Sequence, residues 1–90
     1  MTASPGLSTS DVVLTIVRIV SPYLGETMAR SAAQAHCQKL GISGERMEPT
    51  QAEALIGKVG SGLNVFVGRE KSSAVVAELR RAIAGQTAAS

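Results

Sequence analysis

The 90-residue sequence contains no tryptophan, one tyrosine and one phenylalanine. A core built from it must rest on Val, Ile, Leu, Met and Ala, and no stretch interleaves basic and aromatic residues as a base-stacking surface does. A single cysteine, Cys37, excludes an intrachain disulfide and fits a reducing compartment. The single histidine, His36, adjoins it in the chain. Successive helical positions point about 100° apart, so the two side chains form neither a metal site nor a nucleophile pair. Gly57, Gly60 and Gly62 lack the lysine and the spacing of a phosphate-binding loop. Metal, cofactor and catalytic residues are therefore all expected to be none, and the protein is expected not to be an enzyme.

Long apolar runs and charge of one sign are missing too. The most hydrophobic stretch is broken by Thr15 and Arg18 and is too short to span a bilayer. Residues Met1 to Gly6 lack the basic region of a secretory signal, which makes a cytoplasmic location the expectation. A formal charge of +2, from nine basic and seven acidic residues, argues against nucleic acid and against an anionic membrane as partners.

What is present is a series of helix signals. Ser21 and Pro22 read as the cap and first residue of a helix that ends at Leu40, with Gly41 as the left-handed stop. On a helical wheel Tyr23, Glu26, Thr27, Arg30, Gln34, Cys37 and Gln38 form its wet side. Leu24, Gly25, Met28, Ala29, Ala32, Ala33, Ala35, His36 and Leu40 form a stripe of mostly small residues, on which another helix can pack closely. Glu26 and Arg30 have the favourable i, i+4 order. Cys37 falls near Arg30, where a cation lowers a thiol pKa; an inert thiol is the plainer reading.

Before this helix, Ser10 and Asp11 suit the start of another, over 11–20. Its β-branched residues favour a strand, yet Asp11, Thr15 and Arg18 recur with helical spacing as a narrow polar strip. The remaining Val12, Val13, Leu14, Ile16, Val17, Ile19 and Val20 cover more arc than one neighbouring helix can bury. Further on, Pro49 opens a third helix with Ala52, Leu55, Ile56 and Val59 on one face, and Gly60-Ser61-Gly62 reads as its end. Leu63, Val65 and Val67 alternate, but no other segment is a convincing strand partner, so 63–67 is expected to be a buried irregular or single-turn link. Gly68 then caps a last helix, Arg69 to Ala84, with Val75, Val76, Leu79, Ala82 and Ile83 on its buried face. Arg69, Lys71, Arg80 and Arg81 are diluted by Glu70 and Glu78, and the last two arginines also suit a helix C-terminus.

The expected fold is all-α: a small four-helix domain over 10–84, a disordered lead over 1–9 and a frayed tail over 85–90, with no internal sequence repeat. A chain this short, without a disulfide or metal, commonly gains stability by association. A homo-oligomer is expected, its interface drawn from Val12, Val13, Ile16, Val17, Val20, Gly25, Met28, Ala29 and Ala32.

Pro22-Tyr23-Leu24-Gly25 followed by Ala29-Arg30 and Ala32-Ala33 resembles a motif in small, uncharacterised helical domains appended to bacterial signalling proteins. The resemblance covers about a dozen residues and implies a bacterial accessory or interaction domain without catalysis. It assigns no functional residue. The function expected from these features together is a non-enzymatic module for self-association and for contact with a protein partner. The alternative is a small nucleic-acid-binding dimer.

Overall fold

The computed structural model describes residues 7–42 and 44–88, with side-chain surroundings defined as far as Gln86. Strand β1 (Leu7–Ser8) leads into α1 (Thr9–Leu24), and α2 (Glu26–Lys39) follows after one residue. Strand β2 (Arg46–Met47) leads into α3 (Pro49–Val67), and α4 (Arg69–Ala88) again follows after one residue. The sequence does not repeat, but the element order does: a two-residue strand, a helix, a single glycine, a helix. The strands pair antiparallel, Leu7 opposite Met47 and Ser8 opposite Arg46. The Thr9 amide extends the ribbon by donating to the Glu45 carbonyl at 2.9 Å. Four helices form as expected, while the ribbon and several boundaries differ from the sequence reading.

The first helix starts earlier than Ser10 suggests, because Ser8 is its cap and accepts from the Asp11 amide at 3.3 Å. It also runs through the supposed start signal at Ser21 and Pro22. Proline is tolerated there because the helix is about to end and loses only the bond to the Arg18 carbonyl. The Ser21 hydroxyl turns back and donates to the Val17 carbonyl instead of capping a new helix. The true break is Gly25, at φ 87° and ψ 152°. Gly68 breaks the second pair at φ 89° and ψ 166°. This combination is essentially confined to glycine. It lets a helix reverse direction in one residue.

α3 continues through Gly60 and Gly62 and takes in 63–67, so that segment is neither an irregular link nor a helix stop. Its buried face, Ala52, Leu55, Ile56, Val59, Gly60 and Leu63, keeps helical spacing to the end. Gly60 is there for clearance: a Cβ on it would lie 2.5 Å from Val76 Cγ2 on α4. At the same crossing the buried Ser72 hydroxyl donates to the Gly60 carbonyl at 2.7 Å. Pro49 does open α3, and the Glu48 amide donates to the Gln51 side chain at 2.8 Å.

Each hairpin packs most extensively on itself, α1 on α2 and α3 on α4, and α1 then lies against both α4 and α3. α1 and α4 run antiparallel, since Lys71 near the start of α4 meets Tyr23 near the end of α1, whereas Gln86 meets Thr15. The resulting core joins Val12, Ile16, Val17 and Val20 of α1 to Leu55, Ile56 and Leu63 of α3 and Val75, Leu79 and Ile83 of α4. Leu7, Ile42 and Met47, all buried, close it at the ribbon end. Part of the expected lead is thus ordered, and residues 1–6 lie outside the described residues.

Two further expectations change. Thr15 is not on a wet strip: it is buried, donates to the Asp11 carbonyl at 2.8 Å and accepts from Gln86 at 2.6 Å. That contact exists because α4 runs to Ala88, four residues past the expected end at Ala84, so 85–88 is helical and only 89–90 of the tail lies outside the described residues. Leu14, expected to need cover, is instead exposed.

The Gly60 crossing gives a direct test. Gly60→Ala gains about 1 kcal/mol of helix propensity but forces an extra methyl against a stiff β-branched side chain, at about 1–3 kcal/mol. The variant is expected to unfold at lower urea than the parent, and Gly60→Ala/Val76→Ala is expected to recover most of the loss.

Candidate interaction surface

The elbow end of the bundle is assembled by the two glycines. Each sits where a helix stops abruptly, so the residues just before it continue a buried stripe past the last turn that another helix can cover. On α3 the stripe Ile56, Val59, Leu63 passes on to Phe66, and on α1 Ile16 and Val20 pass on to Tyr23 and Leu24. The two elbows occupy the same end of the molecule, because the Lys71 ammonium, three residues after Gly68, lies 6.0 Å from the ring centre of Tyr23, two residues before Gly25. Five large apolar side chains are exposed among the described residues: Leu14, Tyr23, Met28, Val65 and Phe66. Four of them lie within three residues of Gly25 or Gly68. Val65 is 85% exposed and Phe66 58%. Both aromatic residues of the sequence are thus spent on this end and neither on the core.

Charges of both signs lie next to these side chains in the chain. Glu26 and Arg30 form the expected ion pair at 2.9 Å, and Arg69, Glu70 and Lys71 occupy the first turn of α4. An exposed pair of this kind contributes a few tenths of a kcal/mol. Away from the elbows, Arg80 is held by Glu53 at 2.9 Å, which takes one of the four basic residues of α4 out of any free cationic field.

The nine residues expected at an interface separate into three groups. Val12, Ile16, Val17, Val20 and Ala29 are buried by the chain's own helices. Val13 and Ala32 are half-buried, and Gly25 and Met28 are exposed at the elbow end. The arc of α1 that one helix could not cover is covered by three, α2, α3 and α4. Aromatic content was the signal that points to the rest of the surface: a chain with two rings and an aliphatic core has no structural need to put both at one end.

Cys37 also differs from the wheel. Ala29, Ala33 and Cys37 form the buried stripe of α2, so Cys37 lies inside and not on the wet face. Burial raises its pKa, opposite to the shift of a redox-active thiol. The wheel misplaced it because a one-residue elbow leaves α2 no slack, and the roll of α2 is set by its contact with α1. His36 is half-buried, and no carbonyl satisfies it: Nδ1 is buried without a hydrogen-bond partner among the described residues. Burial, then Lys39 and Lys58, lower its pKa below the ordinary 6.5. No group of three His, Cys, Asp or Glu side chains that could hold a metal occurs among the described residues. None of the described helices is long and apolar enough to cross a membrane.

No protein-family model, curated protein or solved structure matches this chain.

Two measurements follow from these side chains. Because His36 binds its proton more readily in the unfolded chain, stability is full above its ordinary pKa and is lost as pH falls through 6.5 toward the lower folded value. Urea midpoints at pH 8 and pH 5 should show the drop, and His36→Gln should flatten that part of the profile. Cys37 should react with an aromatic disulfide reagent only as fast as the protein opens; immediate stoichiometric reaction of the native protein would contradict its burial.

Proposed function

We propose that this protein is a non-enzymatic helical module that self-associates and docks onto a protein partner, and that it does so through the elbow end. The observation that carries the reading is the exposure of Tyr23, Met28, Val65 and Phe66 together beside Gly25 and Gly68. Aromatic and methionine side chains are enriched in the centres of protein interfaces, and large apolar side chains left exposed at one end of a small domain suit such a role. The mixed charges next to these side chains in the chain make no field of one sign, which suits a protein surface better than a phosphate backbone. The resemblance of residues 22–33 to accessory domains of bacterial signalling proteins supports the same class of role. It also gives Pro22 and Gly25 a job, since they shape the elbow that presents Tyr23 and Met28.

Val65→Asp/Phe66→Ser tests the proposal. Both positions are exposed, so thermal stability should change by about 0.5 kcal/mol or less in the monomer. Sedimentation equilibrium of the parent at micromolar to millimolar concentration should show association that the double variant loses. A parent that stays monomeric and a variant that still captures every partner of the parent would rule out the elbow end as the surface.

A further inference from the structure

We propose that the cleft between α1 and α4 is a binding site for a free α-amino acid with a small apolar side chain, its carboxylate held by Arg18 and its ammonium by Glu78. The site does not depend on the elbow-end contact.

The cleft has a volume of about 490 Å3, within the range of pockets that hold small metabolites. Its walls come from two helices, and they differ in hydrogen-bonding sense. The α1 wall carries the Arg18 guanidinium and the Tyr23 hydroxyl, and a guanidinium can only donate. The α4 wall carries the Glu78 carboxylate and the Gln86 amide. Gln86 Nε2 is taken by Thr15 at 2.6 Å, and its Oε1 is buried without a partner, so what this wall still has to offer is acceptors. Thr15 has no proton left to give, because its hydroxyl donates to the Asp11 carbonyl. A ligand that bridges the walls must therefore accept on its α1 side and donate on its α4 side.

Charge makes the same demand. Arg18 and Glu78 are exposed, opposite in sign and line one cleft, yet neither forms an ion pair or a hydrogen bond among the described residues. Where exposed charges of opposite sign do come within reach in this fold, they pair: Glu26 with Arg30 along α2, and Glu53 with Arg80 between α3 and α4. Arg18 also borders the groove between α1 and α2, but the acid there, Glu26, is already matched by Arg30. The α1–α4 cleft thus holds a cation on one wall and an anion on the other with the space between them open. A free α-amino acid carries both complementary charges on one carbon at neutral pH. Its carboxylate suits the two-pronged guanidinium, and its ammonium suits a carboxylate. Ile19, Pro22 and Ala82 complete the lining and give an aliphatic side chain an apolar surface. In a peptide the two charges lie at opposite ends of the chain, so a free amino acid matches the cleft better than a partner's segment does.

The test is a titration followed by amide chemical shifts, with L-valine as the probe. L-valine should shift the signals of residues 15–23 and 78–86 saturably, with half-saturation on the order of 1 mM. N-acetyl-L-valine lacks the ammonium and L-valinamide lacks the carboxylate, and each should bind about tenfold more weakly. Arg18→Gln should bind L-valine no better than the parent binds L-valinamide. Glu78→Gln should bind it no better than the parent binds N-acetyl-L-valine. Both positions are exposed, so each variant should keep the parent's thermal transition. The absence of a saturable shift by about 50 mM L-valine overturns the proposal. L-valine binding that is unchanged in both variants overturns it as well. If N-acetyl-L-valine or L-valinamide matches L-valine, the cleft reads one charge alone, and the zwitterion assignment is overturned.

Discussion

Two single-residue elbows constrain everything else in this fold. A helix that reverses direction within one glycine has no loop in which to absorb a mismatch, so the partner helix returns at a fixed roll and at close range. The cost is a conformation that other residues avoid by about 1–3 kcal/mol. The consequence is a demand for small side chains wherever the returning helix runs close. Ala29 and Ala33 meet it on α2, and Gly60 meets it on α3, where a β-carbon would strike Val76. The composition, rich in alanine and glycine and poor in rings, is that of a chain whose helices must approach closely.

Close approach raises a second problem, which is what to do with polar groups caught between helices. An unpaired buried polar group costs roughly 1–3 kcal/mol, so each needs a partner. Ser72 uses the Gly60 carbonyl, which is reachable because no side chain stands over it. Thr15 uses the Asp11 carbonyl and Gln86, tying the end of α4 to the middle of α1. The glycine that permits the crossing thus also exposes the acceptor that anchors it. Three buried side-chain atoms among the described residues go unmatched, Thr9 Oγ1, Gln86 Oε1 and His36 Nδ1, and of these only the histidine titrates, so it is the one through which acid loosens the fold.

Much of the fold was legible, and the misreadings have physical causes. Pro49, the spacing of Ala52, Leu55, Ile56 and Val59, the Gly68 break and the Glu26–Arg30 pair were readable because each is a local relation within one helix. Ser21-Pro22 and Gly60-Ser61-Gly62 are equally good local signals, of a helix start and a helix stop. They failed because the same residues do other work: Ser21 bonds backwards to Val17 within its own helix, and Gly60 makes room for α4. Local punctuation has two meanings, boundary and clearance, and only the neighbouring helix tells them apart. The ribbon was missed for a related reason. Two residues at each of two distant sites carry no period, and Leu7 and Met47 show their role only when opposite each other. Cys37 was misplaced because the roll of a helix depends on where its partner lies, which a wheel does not contain.

The candidate surface was half legible, and the reason bears on how small domains divide their apolar residues. Among the described residues, a core of 18 buried apolar side chains holds no ring. Aliphatic side chains between closely spaced helices fill it, and a ring would hold those helices apart. The rings are consequently free for other use, and they lie where the helices end and the buried stripes run out. In a longer connection those stripe ends would be covered by loop residues folding back. A one-residue elbow has none to offer. The feature that tightens the core therefore also leaves its end uncovered, so internal packing and exposed docking surface are two results of one backbone choice at Gly25 and Gly68.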